Sequence, residues 1–211
     1  MNARMDEVEG LFPIPLLRSR GVFDPAIVAE LTAEIRGVFT QRNARSDKLS
    51  HTEIVRPDSH ALYGRVVELA MSRVVEFGHL MFGDRLGWTV KEMWTNVLGP
   101  GGSQSMHAHA NSFVSGIIYL TPSHPSSNTV FVRNPGGTEF AFRHNTSTAE
   151  IGPFNAGKYV TPEIEPGDMV LFPSYLLHEV PRNQGGQRIT LAFNAIPDRL
   201  DSWGYTIGLA P

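Results

Sequence analysis

From Gly87 onward the chain is unsuited to long helices. Short β-prone stretches follow one another: "WTVKEMWTNVLG", "SFVSGIIYLT", "NTVFVRN", "TEFAFRH", "DMVLFPS", "LLHEVPR" and "RITLAFNAI". Gly, Pro, Asn and Ser separate them, and the chain's 20 Gly and 15 Pro are concentrated after residue 99. Pro removes a ladder donor and Gly admits tight turns, so each stretch is bounded by residues that end a strand. A run of short strands at this spacing predicts a sandwich or barrel. No repeat of 20–50 residues accompanies it.

The first 86 residues read differently. "LFPIPLL" (Leu11–Leu17) is expected to be a Pro-bearing edge strand. "FDPAIVAELTAEIRGVFTQ" is expected to be a helix: Asp24 caps it, Pro25 suits the first helical position, and Ile27, Val28, Leu31, Ile35, Val38 and Phe39 share a face. "RNARSDKLSHTEIVRPDS" is polar and reads as a loop. A second helix over about 59–82 carries Leu62, Val66, Leu69, Ala70, Phe77 and Leu80 at core spacing. The predicted fold class is mostly β with α: two N-terminal helices packed outside a double-stranded β-helix, the jelly-roll type of barrel. A single domain is expected over 1–211, with strand and helices in 1–86 and the barrel in 87–200. Residues 121–162, rich in Ser, Asn, Gly and Pro, are expected to be an irregular, lid-like insertion.

Charge and composition exclude several function classes. A formal net charge of −3 and a pI of about 6.2 give no footprint for nucleic acid or an anionic membrane. With no cysteine, disulfides, thiolate metal sites and cysteine nucleophiles are excluded. A metal site here needs His, Asp, Glu or Asn, donors that suit iron, manganese or zinc. No apolar run reaches membrane-spanning length, and "MNARMDEVEG" lacks the apolar core of a signal peptide. A cytoplasmic protein acting on a small-molecule or peptide substrate is the expectation. The N-terminal strand, an edge or an interface, allows a homodimer.

Candidate chemistry gathers on histidine. His107 and His109, in "GPGGSQSMHAHANSFVSGIIY", are two residues apart. On a strand that spacing projects both side chains from one face, which Phe113, Ser115, Ile117 and Tyr119 share if the strand is regular. Two hydrogen-bonded surface histidines read the same way from the pair alone. The segment "PGDMVLFPSYLLHEVPRNQGGQRITLAFN" adds His178 and, ten residues on, Arg188. Symmetric pairing about Asn183 would set His178 opposite Arg188, and strand parity aligns Arg188 with Thr190 and Asn194. An inward-facing arginine is costly unless it meets an anion. A guanidinium fork matches a carboxylate bidentately, and Thr190 offers a hydroxyl. Three imidazoles form a facial ligand set for Fe(II) that leaves positions open, so a diacid has room to reach both metal and Arg188.

These residues carry a resemblance. Trp94, Asn96, Gly99–Pro100, His107, His109, Ser115–Gly116, Tyr119, Pro166–Asp168, Leu171–Ser174, His178, Arg188–Thr190 and Phe193–Asn194 resemble, in order and over about residues 90–196, the motifs of bacterial Fe(II)/2-oxoglutarate-dependent oxygenases. The resemblance implies a jelly-roll fold, with His107 as first and His178 as distal iron ligand. It implies Arg188 as the clamp on 2-oxoglutarate, and Asn96 and Tyr119 as cosubstrate-side residues. It also implies hydroxylation of a substrate with release of succinate and CO2. His109 stands where most members have Asp or Glu, so this chain would hold its iron on His107, His109 and His178.

Two other readings use the same residues. A cupin-type dioxygenase or isomerase has three histidines and needs no 2-oxoglutarate, but 111–116 lacks the Glu that usually follows, and Arg188 has no task in it. A non-catalytic barrel would bind a small acid without turnover. His51, His60, His79, His124 and His144 are expected to face solvent. Asp168 belongs to a turn and is expected to be structural.

Overall fold

The computed structural model describes residues 10–37, 41–42, 48–133 and 146–210. Helix α1 (Pro25–Gly37) begins at its expected cap, where Asp24 Oδ1 accepts from the Ile27 N–H at 2.9 Å. Its buried face is Ile27, Val28, Leu31 and Ile35; the expected partners Val38 and Phe39 lie outside the described residues. Helix α2 (Ala61–Phe82) is capped by the His60 ring and closed by Gly83 at φ 73°. Tyr63, Val66, Ala70, Val74 and Phe77 form its inner stripe. Leu69 and Leu80, expected in that core, are exposed, because both fall on the margin of the 100°-per-residue stripe centred on Ala70.

The strands are β1 (Leu17–Ser19), β2 (Gln41–Arg42), β3 (Leu49–His51), β4 (Trp88–Leu98), β5 (Gln104–His107), β6 (Val114–Tyr119), β7 (Val130–Val132), β8 (Lys158–Val160), β9 (Met169–Pro173), β10 (His178–Val180), β11 (Arg188–Pro197), β12 (Arg199–Ser202) and β13 (Tyr205–Gly208). They form an antiparallel seven-stranded sheet, β1-β9-β6-β11-β4-β3-β2, a four-stranded sheet, β5-β10-β7-β8, and the hairpin β12-β13. Both larger sheets are open: no hydrogen-bonded ring of strands closes them among the described residues. The N-terminal strand is at an edge, as expected, but of the seven residues predicted only the last, Leu17, belongs to it, and pairing with β9 runs from Leu17 to Ser19. The polar stretch read as a loop contributes β3, and the C-terminal hairpin was not foreseen. "TEFAFRH", with His144, lies wholly outside the described residues.

The large sheet is buried on both faces, which explains why β11 and β9 read as nearly unbroken apolar runs. Ile189, Leu191, Phe193 and Ala195 point with Val114, Ile118, Met169 and Leu171 toward the two helices. Ile117, Tyr119, Val170 and Phe172 point the other way, onto Phe131, Ile164 and Leu176. The second face is where the small sheet packs. It also carries Arg188, Thr190 and Asn194, all buried. Among the described residues no helix is long and apolar enough to cross a membrane.

One element departs from regular alternation in a way that aims the site. Asn194 pairs with Glu92, but the next residue, Ala195, pairs with Val90. Lys91 is therefore an extra residue on β4, a bulge that reverses side-chain parity. Trp88 and Val90 face the helices, whereas Trp94 and Asn96 line the cleft between the sheets.

Candidate metal centre and cosubstrate cleft

His107 ends β5, and His178 begins β10; the two are cross-strand partners in the small sheet. His109 lies beyond the end of β5, held by its own N–H to the Ser174 carbonyl at 2.9 Å. The chain turns there, with Asn111 at φ 55°. That break is why Phe113 does not share the histidines' side: it packs instead against Phe82, in the helix-facing layer. Ser115, Ile117 and Tyr119 keep the inward parity the sequence predicts.

One ring nitrogen from each of His107, His109 and His178 lies within 4.8 Å of the other two. The ring centres are 4.2 Å apart for His107–His178, 5.0 Å for His109–His178 and 5.3 Å for His107–His109. Their partners fix the tautomers. Nδ1 of His107 is 2.9 Å from the Ser105 carbonyl, and Nδ1 of His178 is 3.0 Å from the Leu176 carbonyl. Carbonyl oxygens only accept, so both Nδ1 atoms carry the hydrogen. Nδ1 of His109 is 2.8 Å from Asn194 Oδ1, again an acceptor, and 2.8 Å from Ser115 Oγ, whose own hydrogen goes to Asn194 Oδ1. All three Nε2 atoms are left with a lone pair, and the Gln104 amide donates to that of His107 at 3.3 Å.

Burial keeps the rings neutral. Loss of solvation pulls His178 down to about 3, and proximity to His107 adds to it. The same two causes, in the same order, take His109 to about 4. His107 is lowered as well, by burial. Three neutral imidazoles with converging lone pairs suit a divalent transition metal.

Arg188 stands beside them in the same cleft, which Asn96 and Thr190 also line. Its guanidinium is buried, its Nη2 donates to Thr129 Oγ1 at 3.2 Å, and its Nε is buried with no partner among the described residues. Burial lowers its pKa, while Tyr119 opposes that shift. Tyr119 lies behind the guanidinium, with its hydroxyl 3.0 Å from Thr129 Oγ1.

The expected route by which His178 and Arg188 meet is wrong. They are not cross-strand partners: β10 belongs to the small sheet and β11 to the large one. Between them the chain crosses from sheet to sheet, pinned by Asn183, whose N–H donates to the Gly102 carbonyl and whose carbonyl accepts from the Gly101 N–H. The two side chains reach one cleft because the sheets face each other.

Sequence reasoning missed Glu92, Gln104 and Thr129. Glu92 and Gln104 carried a readable signal: Glu92 has the parity of Trp94 and Asn96, and Gln104 precedes His107 on β5. Thr129 had none, since it lies in the segment expected to be a lid. That segment in fact supplies β7 and β8, a wall of the small sheet. Of the remaining histidines, His60 and His124 are exposed as expected and each caps a helical turn, but His51 and His79 are half-buried. Asp168 is structural in its contacts: Oδ1 accepts from the Gly21 N–H and Oδ2 from the Glu165 N–H. A wider groove of about 450 Å³ between α1 and the start of the β6–β7 connection offers only Arg36 as a charged group and lies away from this chemistry.

The family model described as "Putative 2OG-Fe(II) oxygenase" matches residues 92–194, a span that contains all the cleft residues above. No curated protein matches the chain. Among solved structures, the chain is similar to HygX from Streptomyces hygroscopicus with nickel and 2-oxoglutarate bound, at TM-score 0.65 and 15% identity over 87% of this chain and 83% of that one. It is similar to the non-heme alpha ketoglutarate dependent epimerase SnoN from nogalamycin biosynthesis, at 0.63 and 12% over 88% and 80%. It is similar to a Pseudomonas putida prolyl-4-hydroxylase, at 0.58 and 16% over 86% and 92%. At such identities the likeness is one of fold.

Proposed function

We propose that this chain is a 2OG-Fe(II) oxygenase, a reading supported by the family match that runs from β4 to β11, and that it holds iron(II) on His107, His109 and His178 and 2-oxoglutarate on Arg188. The two facing sheets are then the halves of a double-stranded β-helix, and residues 1–211 a single domain organised around it.

The observation that carries the reading is Arg188. A buried guanidinium whose Nε has no partner among the described residues is expensive unless an anion completes it. It stands in one cleft with three imidazoles whose free nitrogens converge. A metal alone explains the histidines, and a small acid alone explains the arginine. A diacid that also chelates a metal accounts for both. A cupin-type site leaves the arginine without a task.

When bound, iron(II) and 2-oxoglutarate supply the oxidising chemistry, in which O2 is consumed, succinate and CO2 leave, and a substrate C–H bond is hydroxylated. The protein's own share is positional. The three Nδ1 hydrogen bonds stop the rings from rotating, so the ligand lone pairs stay converged. Arg188 offers a planar fork to the carboxylate remote from the metal, and Thr190 and Asn96 offer a hydroxyl and an amide on the same wall. Tyr119 and Thr129 hold the guanidinium from behind. Phe172, 4.8 Å from His178 between ring centres, and Phe131, 5.0 Å from Phe172, keep water from that side of the site. The substrate is a small molecule or a peptide.

The test is anaerobic loading with Fe(II), titration with 2-oxoglutarate, then admission of oxygen. Succinate formed in step with oxygen uptake is the expected result. Binding without consumption points to the non-catalytic small-acid barrel, and no binding at all removes the assignment.

A further inference from the structure

A row of side chains crosses the large sheet behind His109. Glu92 on β4, Asn194 on β11 and Ser115 on β6 are lateral partners in register. Asn194 Nδ2 donates to Glu92 Oε1 at 2.7 Å, and Asn194 Oδ1 accepts from Ser115 Oγ at 2.7 Å and from His109 Nδ1 at 2.8 Å. Ser115 Oγ also lies 2.8 Å from His109 Nδ1 and 2.9 Å from Ser174 Oγ. Asn194, Ser115 and Ser174 are buried; Glu92 is 22% exposed and pairs with Lys91 Nζ at 3.1 Å. The bulge at Lys91 turns Glu92 inward to reach Asn194.

The chain of donors runs one way only. A carboxylate accepts and cannot donate, so Glu92 takes the amide N–H of Asn194. That turns the Asn194 carbonyl oxygen toward His109. An amide oxygen likewise only accepts, so the hydrogen of His109 sits on Nδ1 and the lone pair on Nε2. His107 and His178 have their tautomers set by backbone carbonyls, which cannot flip. His109 alone depends on side chains: the Ser115 hydroxyl, which rotates to donate or accept, and the Asn194 amide, whose two ends differ little in shape and which would accept either orientation without Glu92.

We propose that Glu92 is a positioning residue: acting through Asn194, it fixes the tautomer of His109 and raises its strength as a metal ligand. This rests on the metal reading given above. Two hydrogen bonds out from the imidazole, it brings a negative charge to a site whose three protein ligands are neutral. Outer partners of this kind orient the ligand and increase its basicity.

The experiment has two readouts. In metal-free protein, ¹⁵N NMR of the imidazoles reports the tautomer; in the same protein, anaerobic titration with Co(II) against a competing chelator reports affinity. Wild type is expected to show His109 protonated at Nδ1 only. Glu92→Ala is expected to mix the two His109 tautomers and to weaken Co(II) binding about 10–100-fold. Glu92→Gln, uncharged and able either to accept from Asn194 or to donate to it, is expected to fall between wild type and Glu92→Ala on both readouts. Glu179→Ala is the control: Glu179 adjoins His178 in sequence but pairs outward with Lys158 at 2.6 Å, so its loss is expected to leave both readouts unchanged. A pure Nδ1–H tautomer and wild-type affinity in Glu92→Ala would overturn the proposal, as would an equal loss in Glu179→Ala. Should wild type bind no Co(II), the metal reading fails, whereas the metal-free tautomer still decides whether Glu92 governs His109.

Discussion

The guanidinium carbon of Arg188 lies 5.2 Å from the centre of the Tyr119 ring, and both side chains are closed off from solvent. An aromatic face and one threonine hydroxyl replace only part of the water this cation loses on folding. Replacing Arg188 by Met is therefore expected to act in opposite directions on fold and ligand. The metal-free, ligand-free protein is expected to gain about 1–4 kcal/mol in urea unfolding, since an uncompensated buried charge becomes an apolar side chain of similar volume. Affinity for 2-oxoglutarate, measured by anaerobic calorimetry with a redox-inert divalent metal, is expected to fall by about 2–5 kcal/mol, roughly thirtyfold to several thousandfold. A variant that keeps its diacid affinity removes Arg188 from its assigned role.

Tyr119 carries a weaker version of the same test. It touches the cation with its ring and Thr129 with its hydroxyl, but does not line the cleft. Tyr119→Phe keeps the ring and removes one neutral hydrogen bond, an effect of about 0.5–1.5 kcal/mol. The expected change in 2-oxoglutarate affinity is a few-fold to about tenfold. A loss as large as that of Arg188→Met would mean that the phenol contacts the cosubstrate directly.

The three histidines predict an acid limb of stability. His178 near 3 and His109 near 4 lie below an unfolded value of about 6.5. Between those limits the unfolded chain binds more protons than the native one, so native stability falls as pH falls. The contribution is complete above about pH 6.5 and is lost as pH drops toward 4. Urea midpoints of the metal-free protein at pH 7 and pH 5 check this. The drop is expected to be smaller in His178→Gln, which has no ring to protonate. An equal drop in both proteins would mean that other groups dominate.

What the sequence made legible follows from period and punctuation. The two helices were readable because Asp24 and Pro25 mark a start and because apolar residues recur at helical spacing. Strands β4, β6, β9 and β11 were readable because β-branched and aromatic runs stop at Gly and Pro. The site could be assembled from parity along single strands: Arg188, Thr190 and Asn194 do share a face. Connections between strands were not readable. His178 and Arg188 flank a short turn, which favours a hairpin, yet the buried Asn183 bonds the 99–102 loop and hands the chain to the other sheet. Nor does a one-residue bulge show in sequence. Lys91 looks like any exposed strand residue, although it decides which way Glu92 points. The hairpin β12-β13 was missed because it is exposed on both faces and so has no alternation to detect.

Asp168 and Gly167 separate a structural turn from a ligand. Gly167 has φ 93°, and a Cβ there would stand 2.3 Å from the Phe23 carbonyl oxygen. Gly167→Ala therefore combines a left-handed backbone cost of about 1–2 kcal/mol with overpacking of about 1–3 kcal/mol. Asp168→Ala strips acceptors from the Gly21 and Glu165 N–H groups, at about 1–3 kcal/mol for a group left unsatisfied. Both variants are expected to shift the urea midpoint downward while Co(II) affinity, measured below the transition on folded protein, stays at the wild-type value. Asp168 is the acid nearest in sequence to His178 after Glu179, so it is the one a carboxylate-ligand model would recruit to complete a two-His site. If folded Asp168→Ala lost the metal, the three-histidine assignment would give way to that arrangement.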